Sequence, residues 1–216
     1  MTGALDGVRV VEMTSVVLGP YACQMLGDLG ADIIKIEPLN GDTNRNLGPY
    51  RNSKDMSALY LSCNRNKRSI TVDFASKVGA DLLRDLAKTA DIIVENFRPG
   101  GLQKYGLDYA SIAAINPGII YCSITGFGQT GPYAKRAGYG AIGEAMGGLR
   151  YTTGDPSLPP SRAGISIGDT LAATHACLGA IMALHQVHLT GRGQVIDASI
   201  YESVLNMMEN LITDYD

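Results

Sequence analysis

The chain has 216 residues, of which 45% are hydrophobic and 18% are charged, and its formal net charge is −3. That mixture excludes a disordered chain, which needs low hydrophobicity and high net charge. It also argues against a nucleic-acid partner, because 18 basic side chains against 21 acidic ones leave no surplus to neutralise phosphates.

The first forty residues predict a strand, a helix and a second strand. Residues 7–14 are rich in valine and bounded by glycine, as in a buried strand. Pro20 favours the start of a helix, and residues 21–29 predict a helix that ends at a glycine. Residues 31–37 predict the second strand. Such a unit implies parallel strands joined by a right-handed crossover.

The alternation of strands and helices continues to residue 125. Residues 40–67 are polar and predict a long loop with a short helical piece. The next elements are strand 68–74, helix 75–89, strand 91–95, helix 108–115 and strand 118–125. In helix 75–89, a shared apolar face is predicted for Val78, Leu82, Leu83 and Leu86. The pattern predicts the α/β class, with a Rossmann-like open parallel sheet and flanking helices.

Residues 126–162 interrupt this alternation with a loop-rich segment that contains a small-residue helix at 139–147. A long apolar helix is predicted at 169–189, a strand at 194–198 and a last helix at 199–213. The last helix lacks a glycine cap, which is unusual for a natural C-terminus.

The four cysteines, at positions 23, 63, 122 and 177, lie far apart and form no C-x-x-C pair. This spacing favours free buried thiols over disulfides or a zinc site. No run of about 18 uninterrupted apolar residues predicts a membrane span, and the first residues do not resemble a secretory signal. We therefore expect a cytoplasmic protein with no membrane partner.

Several common site patterns are present only in weak form. Residues 126–131 match G-x-G-x-x-G, but Pro132 follows and no apolar helix is predicted there, so a mobile glycine-rich loop is favoured over a nicotinamide site. Glu37 ends a strand and is interpreted as a solvent-exposed acid. The three histidines, all in helix 169–189, lack the spacing of a metal site, and we expect no metal. Residues 15–20 follow a parallel strand, where open α/β sheets bind ligands.

Asp169 is the most informative carboxylate because it opens the long helix after a glycine. One interpretation is an ordinary N-cap, whose carboxylate accepts helical N–H bonds and stays ionised near the positive end of the dipole. The other is an oriented carboxylate nucleophile, for which the small residues around it leave room. The residues alone leave both open.

Seven ordered segments together resemble the class III CoA-transferase family, which contains formyl-CoA transferase, carnitine CoA-transferase and α-methylacyl-CoA racemase. They extend along nearly the whole chain, at residues 5–10 with 19–20, 29–37, 66–70, 95–100, 125–132, 168–169 and 190–194.

The resemblance implies that Asp169 attacks an acyl-CoA thioester and then carries CoA as an aspartyl thioester, which a carboxylic acid resolves. It implies CoA as co-substrate and a homodimer of interlocked subunits. The chain would be the N-terminal part of that fold, with a large CoA-binding domain at 1–198 and a helix at 199–216 leading toward a second domain. It also implies CoA contacts at Val16, Val17, Asn96, Phe97, Arg98, Lys104, Arg136 and Tyr139.

Two alternatives remain at this stage. The racemase branch of the family uses a His–Asp pair, but the position of that histidine holds Tyr139, whose ordinary pKa near 10 suits proton abstraction poorly. The other alternative is a CoA- or nucleotide-binding domain without catalysis.

Overall fold

The computed structural model describes residues 3–50 and 56–214, and it contains one six-stranded parallel sheet in the order β3-β2-β1-β4-β5-β6. The strands are β1 Arg9–Met13, β2 Asp32–Glu37, β3 Lys67–Thr71, β4 Ile92–Glu95, β5 Ile120–Thr125 and β6 Val195–Ser199. The helices are α1 Leu18–Asp28, α2 Ala58–Asn64, α3 Lys77–Ala87, α4 Tyr109–Ala113, α5 Gly140–Met146, α6 Ile167–Thr190 and α7 Ile200–Asn206. Two short 3-10 turns are Thr43–Asn46 and Gln103–Tyr105.

The strand order reverses between β1 and β4, which pair in parallel with Val11 opposite Ile93. The chain builds β1, β2 and β3 outward in one direction, then returns to add β4, β5 and β6 on the other side. This is the doubly wound, Rossmann-like arrangement, and it confirms the predicted fold class. In such sheets ligands bind outside the carboxyl ends of the strands where the order reverses.

Helices cover both faces of the sheet, so the strands are apolar on both sides. On one face α1 and α6 pack against the sheet through Leu26, Ala176 and Ala180. On the other face α3 and α4 pack through Leu83 and Ile112. All four cysteines are free and buried, as predicted.

The small residues of α6 let it lie close to the sheet. α6 is long and apolar enough to cross a membrane by those criteria alone. Here it contacts β5, β6, α1 and α7, as the core helix of an α/β domain does.

The predicted apolar face of α3 is partly wrong. Val78 is 80% exposed and Leu82 is 44% exposed, whereas Ala80 and Leu83 are buried. The helix is turned by a close approach at its start, where a Cβ on Gly79 would lie 2.0 Å from the Asp73 carbonyl oxygen. The small residues therefore face the protein, and the larger Val78 faces solvent.

The last helix is also shorter than predicted. α7 ends at Asn206, and residues 207–214 form turns. The N–H groups of Met207 and Met208 bond to carbonyls three residues back, at 3.0 and 3.1 Å. Such i→i+3 bonds tighten and end an α-helix.

Candidate active site

Asp169 lies in the first turn of α6, which connects β5 to β6. Because a crossover helix runs back along its parallel strands, the first turn of α6 lies at the carboxyl edge of the sheet. Asp169 is the third residue of the helix, and Ser166 takes the N-cap position without a side-chain bond. The N-cap interpretation of Asp169 is therefore wrong.

The surroundings of Asp169 do not favour its ionised form. Burial, and after it the nearby Glu144 carboxylate, raise the pKa of its carboxyl to about 6, while Arg162 opposes the rise. We expected the helix start to keep Asp169 ionised. Loss of water around the carboxyl works against that effect and raises the pKa, yet at about 6 it still lies below 7, so the carboxylate is mostly ionised at pH 7.

Gly140 makes the space that the Asp169 carboxylate occupies. A Cβ built on Gly140 would lie 2.5 Å from Asp169 Oδ2 and 3.0 Å from its Cγ. Any other residue at position 140 therefore displaces the carboxylate. The sequence showed this glycine within a small-residue helix, but nothing in the pattern linked it to Asp169.

Glu144 is a second carboxylate beside Asp169, and no pattern in the sequence pointed to it. Its side chain is 1% exposed, with Arg150 Nη2 at 3.2 Å from Oε2. Its Oε1 accepts from the Gly168 N–H at 3.4 Å, so Glu144 on α5 supports the start of α6. The two acids thus lie side by side, and among the described residues only Glu144 has a cation in salt-bridge contact.

Tyr139 and Arg136, two of the predicted CoA contacts, lie in the segment that leads into α5. Tyr139 is the N-cap residue of α5 and is 69% exposed. It directly precedes Gly140, which contacts the Asp169 carboxylate, so Tyr139 lies near Asp169. Arg136 is exposed, with its guanidinium carbon 4.0 Å from the centre of the Tyr133 ring.

The glycine-rich loop at 126–131 is anchored to the fold rather than mobile. The Gly128 N–H donates to Thr125 Oγ1 at 2.9 Å, and the Gln129 N–H donates to Asp197 Oδ2 at 2.8 Å. The next helix, α5, begins only at Gly140. The loop therefore does not lead directly into a helix N-terminus that could receive a pyrophosphate, which argues against a nicotinamide site here.

The loops after β1 and β4 meet where the strand order reverses. The Asn96 side chain forms two hydrogen bonds with the Ser15 backbone. It accepts from the N–H at 3.2 Å and donates to the carbonyl at 3.0 Å. Val16 follows with a φ of +71°, a left-handed conformation that a β-branched residue rarely adopts. Its side chain is 44% exposed, and Val17 is half-buried beside it.

The remaining predicted CoA contacts lie on the α3 and α4 side of the same edge. The Phe97 ring packs edge-on against Phe74, with 5.5 Å between centroids. Arg98 borders a cavity of about 250 Å³ with Glu95, whose carboxyl has its pKa raised by burial. Lys104 borders a second cavity, of about 400 Å³, whose other cations are Lys77 and Arg84. The predicted residues thus share one edge of the sheet but lie on both of its faces.

Glu37 is not the solvent-exposed acid that we expected, because it is 2% exposed. Arg45 forms a bidentate pair with it, from Nε at 2.7 Å and Nη2 at 2.6 Å. The Tyr60 hydroxyl and the Asp42 N–H also donate to it, at 2.9 and 2.8 Å, as does the Ser69 hydroxyl. Burial alone would raise the pKa of Glu37, but these donors outweigh it and lower the pKa to about 2.

The histidines occupy polar positions on α6. His175 Nδ1 lies 2.9 Å from the Leu171 carbonyl oxygen, and its Nε2 lies 3.3 Å from the Asn206 amide. Across residues 3–50 and 56–214, no three His, Cys, Asp or Glu side chains form a group that could hold a metal ion.

Comparison with protein families matches residues 5–216 to the family described as CoA-transferase family III. Succinyl-CoA–D-citramalate CoA-transferase of Chloroflexus aurantiacus is 50% identical over 98% of this chain, which covers 52% of that protein. Formyl-CoA:oxalate CoA-transferase of Streptomyces avermitilis is 42% identical over 99% of this chain and 52% of its own length. The chain thus spans about half the length of the curated relatives it matches.

Solved structures agree with the fold. A CAIB/BAIF family protein from Brucella suis superimposes with a TM-score of 0.96 and 43% identity, over 100% of this chain and 58% of that one. Rv3272 from Mycobacterium tuberculosis gives a TM-score of 0.92 and 30% identity, over 98% and 59%.

Proposed function

The chain belongs to CoA-transferase family III, and from that premise we propose that it takes part in moving CoA from an acyl-CoA to a carboxylic acid. The observation that carries this proposal is the state of Asp169. Its carboxylate is largely dehydrated, lies in a space kept open by Gly140, and accepts no hydrogen bond from the described residues. Such a carboxylate is a better nucleophile than one in water.

The proposed reaction begins with Asp169 in its ionised form. With a pKa of about 6, about nine in ten molecules carry the charged carboxylate at pH 7. One carboxylate oxygen attacks the thioester carbonyl and the C–S bond breaks. CoA leaves as the thiolate, and the acyl group remains on Asp169 as a mixed anhydride. The thiolate then attacks the aspartyl carbonyl, which releases the donor acid and leaves an aspartyl-CoA thioester. An acceptor carboxylate reverses these two steps.

The proposed CoA site follows the carboxyl edge of the sheet. Val16 and Val17 would contact the ligand where the strand order reverses, and Asn96 holds their loop. The exposed cations Arg98, Lys104 and Arg136 would meet the phosphates. Phe97 packs against the core, so its contribution would be to fix the backbone of this segment. Tyr139, exposed beside Gly140, would orient the acyl group.

The names of the relatives suggest the class of acid. They include transferases named for citramalate, glutarate, malate and oxalate, and several are named for succinyl-CoA. We therefore propose short dicarboxylic acids as donor and acceptor. No metal enters this proposal.

The proposal extends to the surroundings of the chain. Residues 1–198 would form the CoA-binding large domain, and the segment 199–216 would lead toward a second domain in a protein about twice this length. Two copies would form an interlocked homodimer, although some relatives are named as α and β subunits. Four free thiols fit the cytoplasm.

Trapping of the aspartyl-CoA thioester tests the proposed role of Asp169. The full-length protein is mixed with succinyl-CoA, digested and analysed by mass spectrometry, with hydroxylamine as a second trap. We expect CoA on the peptide that contains Asp169, no such adduct in Asp169→Ala, and a normal adduct in Asp85→Asn, which alters an exposed acid on α3. Unchanged transfer by Asp169→Ala would refute the role of Asp169. An enzyme that exchanges the α-hydrogen of acyl-CoA without transfer would instead be a racemase.

A further inference from the structure

The loop between β1 and α1 is held by buried side chains to an unusual degree. Apart from Asn96, three side chains bind carbonyl oxygens of this loop or of the first turn of α1, and each comes from a different segment. Lys35 on β2 donates to the Thr14 carbonyl at 2.9 Å, and Lys67 on β3 donates to the Pro20 carbonyl at 2.8 Å. Asn44, in the 3-10 turn after β2, donates to the Val16 carbonyl. All three side chains are buried or nearly so.

The two lysines belong to a buried cluster of four charges, Glu12, Lys35, Asp42 and Lys67, that sums to zero. Lys35 Nζ lies 2.9 Å from Glu12 Oε1 and 3.0 Å from Asp42 Oδ2, and Lys67 Nζ lies 2.8 Å from Glu12 Oε2. Burial alone would lower the pKa of Lys35, but Glu12 and Asp42 raise it above its usual value. Lys35 therefore remains charged and can polarise the Thr14 carbonyl that it binds.

Of the three side chains, Asn44 binds directly to Val16, the residue with the left-handed conformation. Its side chain is fully buried, and it donates to the carbonyl of Val16, whose φ is +71°. Its backbone N–H is fixed in turn by Asp42 Oδ1 at 2.9 Å. A residue held in a sparsely populated backbone region persists only when its surroundings over-determine it, and such residues cluster where ligands bind.

We propose that Asn44, Lys35 and Lys67 are positioning residues that hold the β1–α1 loop, with Val16 in its left-handed conformation, ready to receive CoA. The inference rests on the proposed function, because it takes the loop to be part of the CoA site. Preorganisation of this kind increases affinity by removing the cost of ordering the loop on binding.

Calorimetric titration of the full-length protein with CoA tests the inference. We expect Asn44→Ala to raise the Kd about tenfold. Asn46→Ala is the matched control, because Asn46 lies in the same turn with its side chain exposed, and we expect it to bind as the parent does.

A double-mutant cycle separates positioning from general damage to the fold. Glycine adopts a positive φ without strain, so in a Val16→Gly background the loop no longer depends on Asn44 for that conformation. We expect Asn44→Ala to weaken CoA binding less than about twofold there. An equal loss in both backgrounds, or no loss in the parent, would overturn the inference. If the parent itself does not bind CoA, the proposed function fails instead.

Nuclear magnetic resonance of the CoA-free parent keeps the inference testable if Asn44→Ala does not fold. A left-handed φ brings the amide and α protons of one residue close together and gives a strong cross-peak between them. We expect that signature at Val16 without CoA. A Val16 that samples negative φ until CoA is added would contradict preorganisation.

Discussion

Two acids near the same edge of the sheet, the half-buried Asp169 and the buried Glu37, have opposite chemistry. Glu37 ends β2 and receives donors from Arg45, Tyr60 and a backbone N–H, which lower its pKa to about 2. Asp169 opens α6, has Glu144 for a neighbour and accepts no bond from the described residues, and its pKa rises to about 6.

The difference shows that hydrogen-bond donors decide whether a dehydrated carboxylate has a lowered or a raised pKa. Both side chains lose water, and for both the loss alone raises the pKa. For Glu37 the donors outweigh that effect, so the charge stabilises the fold and its oxygens are fully occupied. For Asp169 nothing outweighs it, so the charge opposes folding, and its oxygens accept no bond from the described residues, as the proposed nucleophile requires. Four perturbations test this contrast.

The largest expected effect is on catalysis by Asp169→Asn. An amide cannot form the proposed anhydride, so we expect transfer by the full-length protein to fall about a thousandfold or more. A coupled assay with succinyl-CoA and a dicarboxylate measures the rate. Glu37→Gln, assayed at a temperature where it is folded, should retain most of the activity. Comparable losses for both variants would remove the distinction between the two acids.

Glu37→Gln should have the largest effect on stability. Breaking a buried, bidentate ion pair leaves Arg45 without its partner, so we expect unfolding to become easier by about 3 kcal/mol at pH 7. Because the folded pKa of about 2 lies below the unfolded value of 4.5, the contribution of Glu37 is complete above pH 4.5 and disappears as pH falls toward 2. Urea unfolding across this range measures both. Asp85→Asn, which alters an exposed pair with Lys88, should change stability by less than about 0.5 kcal/mol.

Asp169→Asn should stabilise the protein that it inactivates. Its folded pKa of about 6 lies above the ordinary value of 3.8, so ionisation opposes folding above pH 6 and has no effect well below pH 3.8. We expect a gain of about 1–2 kcal/mol at pH 8 that vanishes toward pH 3.5. Urea midpoints at the two pH values measure it. A loss of stability at pH 8 would show that Asp169 has stabilising partners after all.

The smallest expected effect is a shift in the pH profile by Glu144→Gln. Removing the neighbouring negative charge eases ionisation of Asp169, so we expect the acid limb of kcat/KM to move down by about half a pH unit. Arg162→Gln removes the opposing positive charge and should move the limb up. Shifts in the same direction for both variants would contradict the assignment of that limb to Asp169.

Much of the fold could be predicted because its signals are local. Short runs that are apolar or that alternate in polarity marked the six strands, and their alternation with helices indicated the parallel sheet. The face of α3 could not be predicted, because it depends on the contact between Gly79 and Asp73. Nor could the end of α7, where competing i→i+3 bonds replace the helical ones.

The candidate site likewise has a part that could be predicted from the sequence and a part that could not. Asp169 was visible from its position before a helix, whereas its environment was not. Glu144 lies 25 residues away across a long loop, and the donors of Glu37 come from three separate segments. Burial and charge at these points are set by tertiary contacts, which no spacing in the sequence records.

The absence of a side chain at Gly140 predicts how mutations at this position would behave in a genetic screen. A single added methyl group there would occupy the position of the Asp169 carboxylate. In a saturation screen scored by growth, missense codons at position 140 should therefore score like the loss of Asp169, the proposed nucleophile. Selection would register this glycine as if it were part of the reaction, although it supplies no reacting atom.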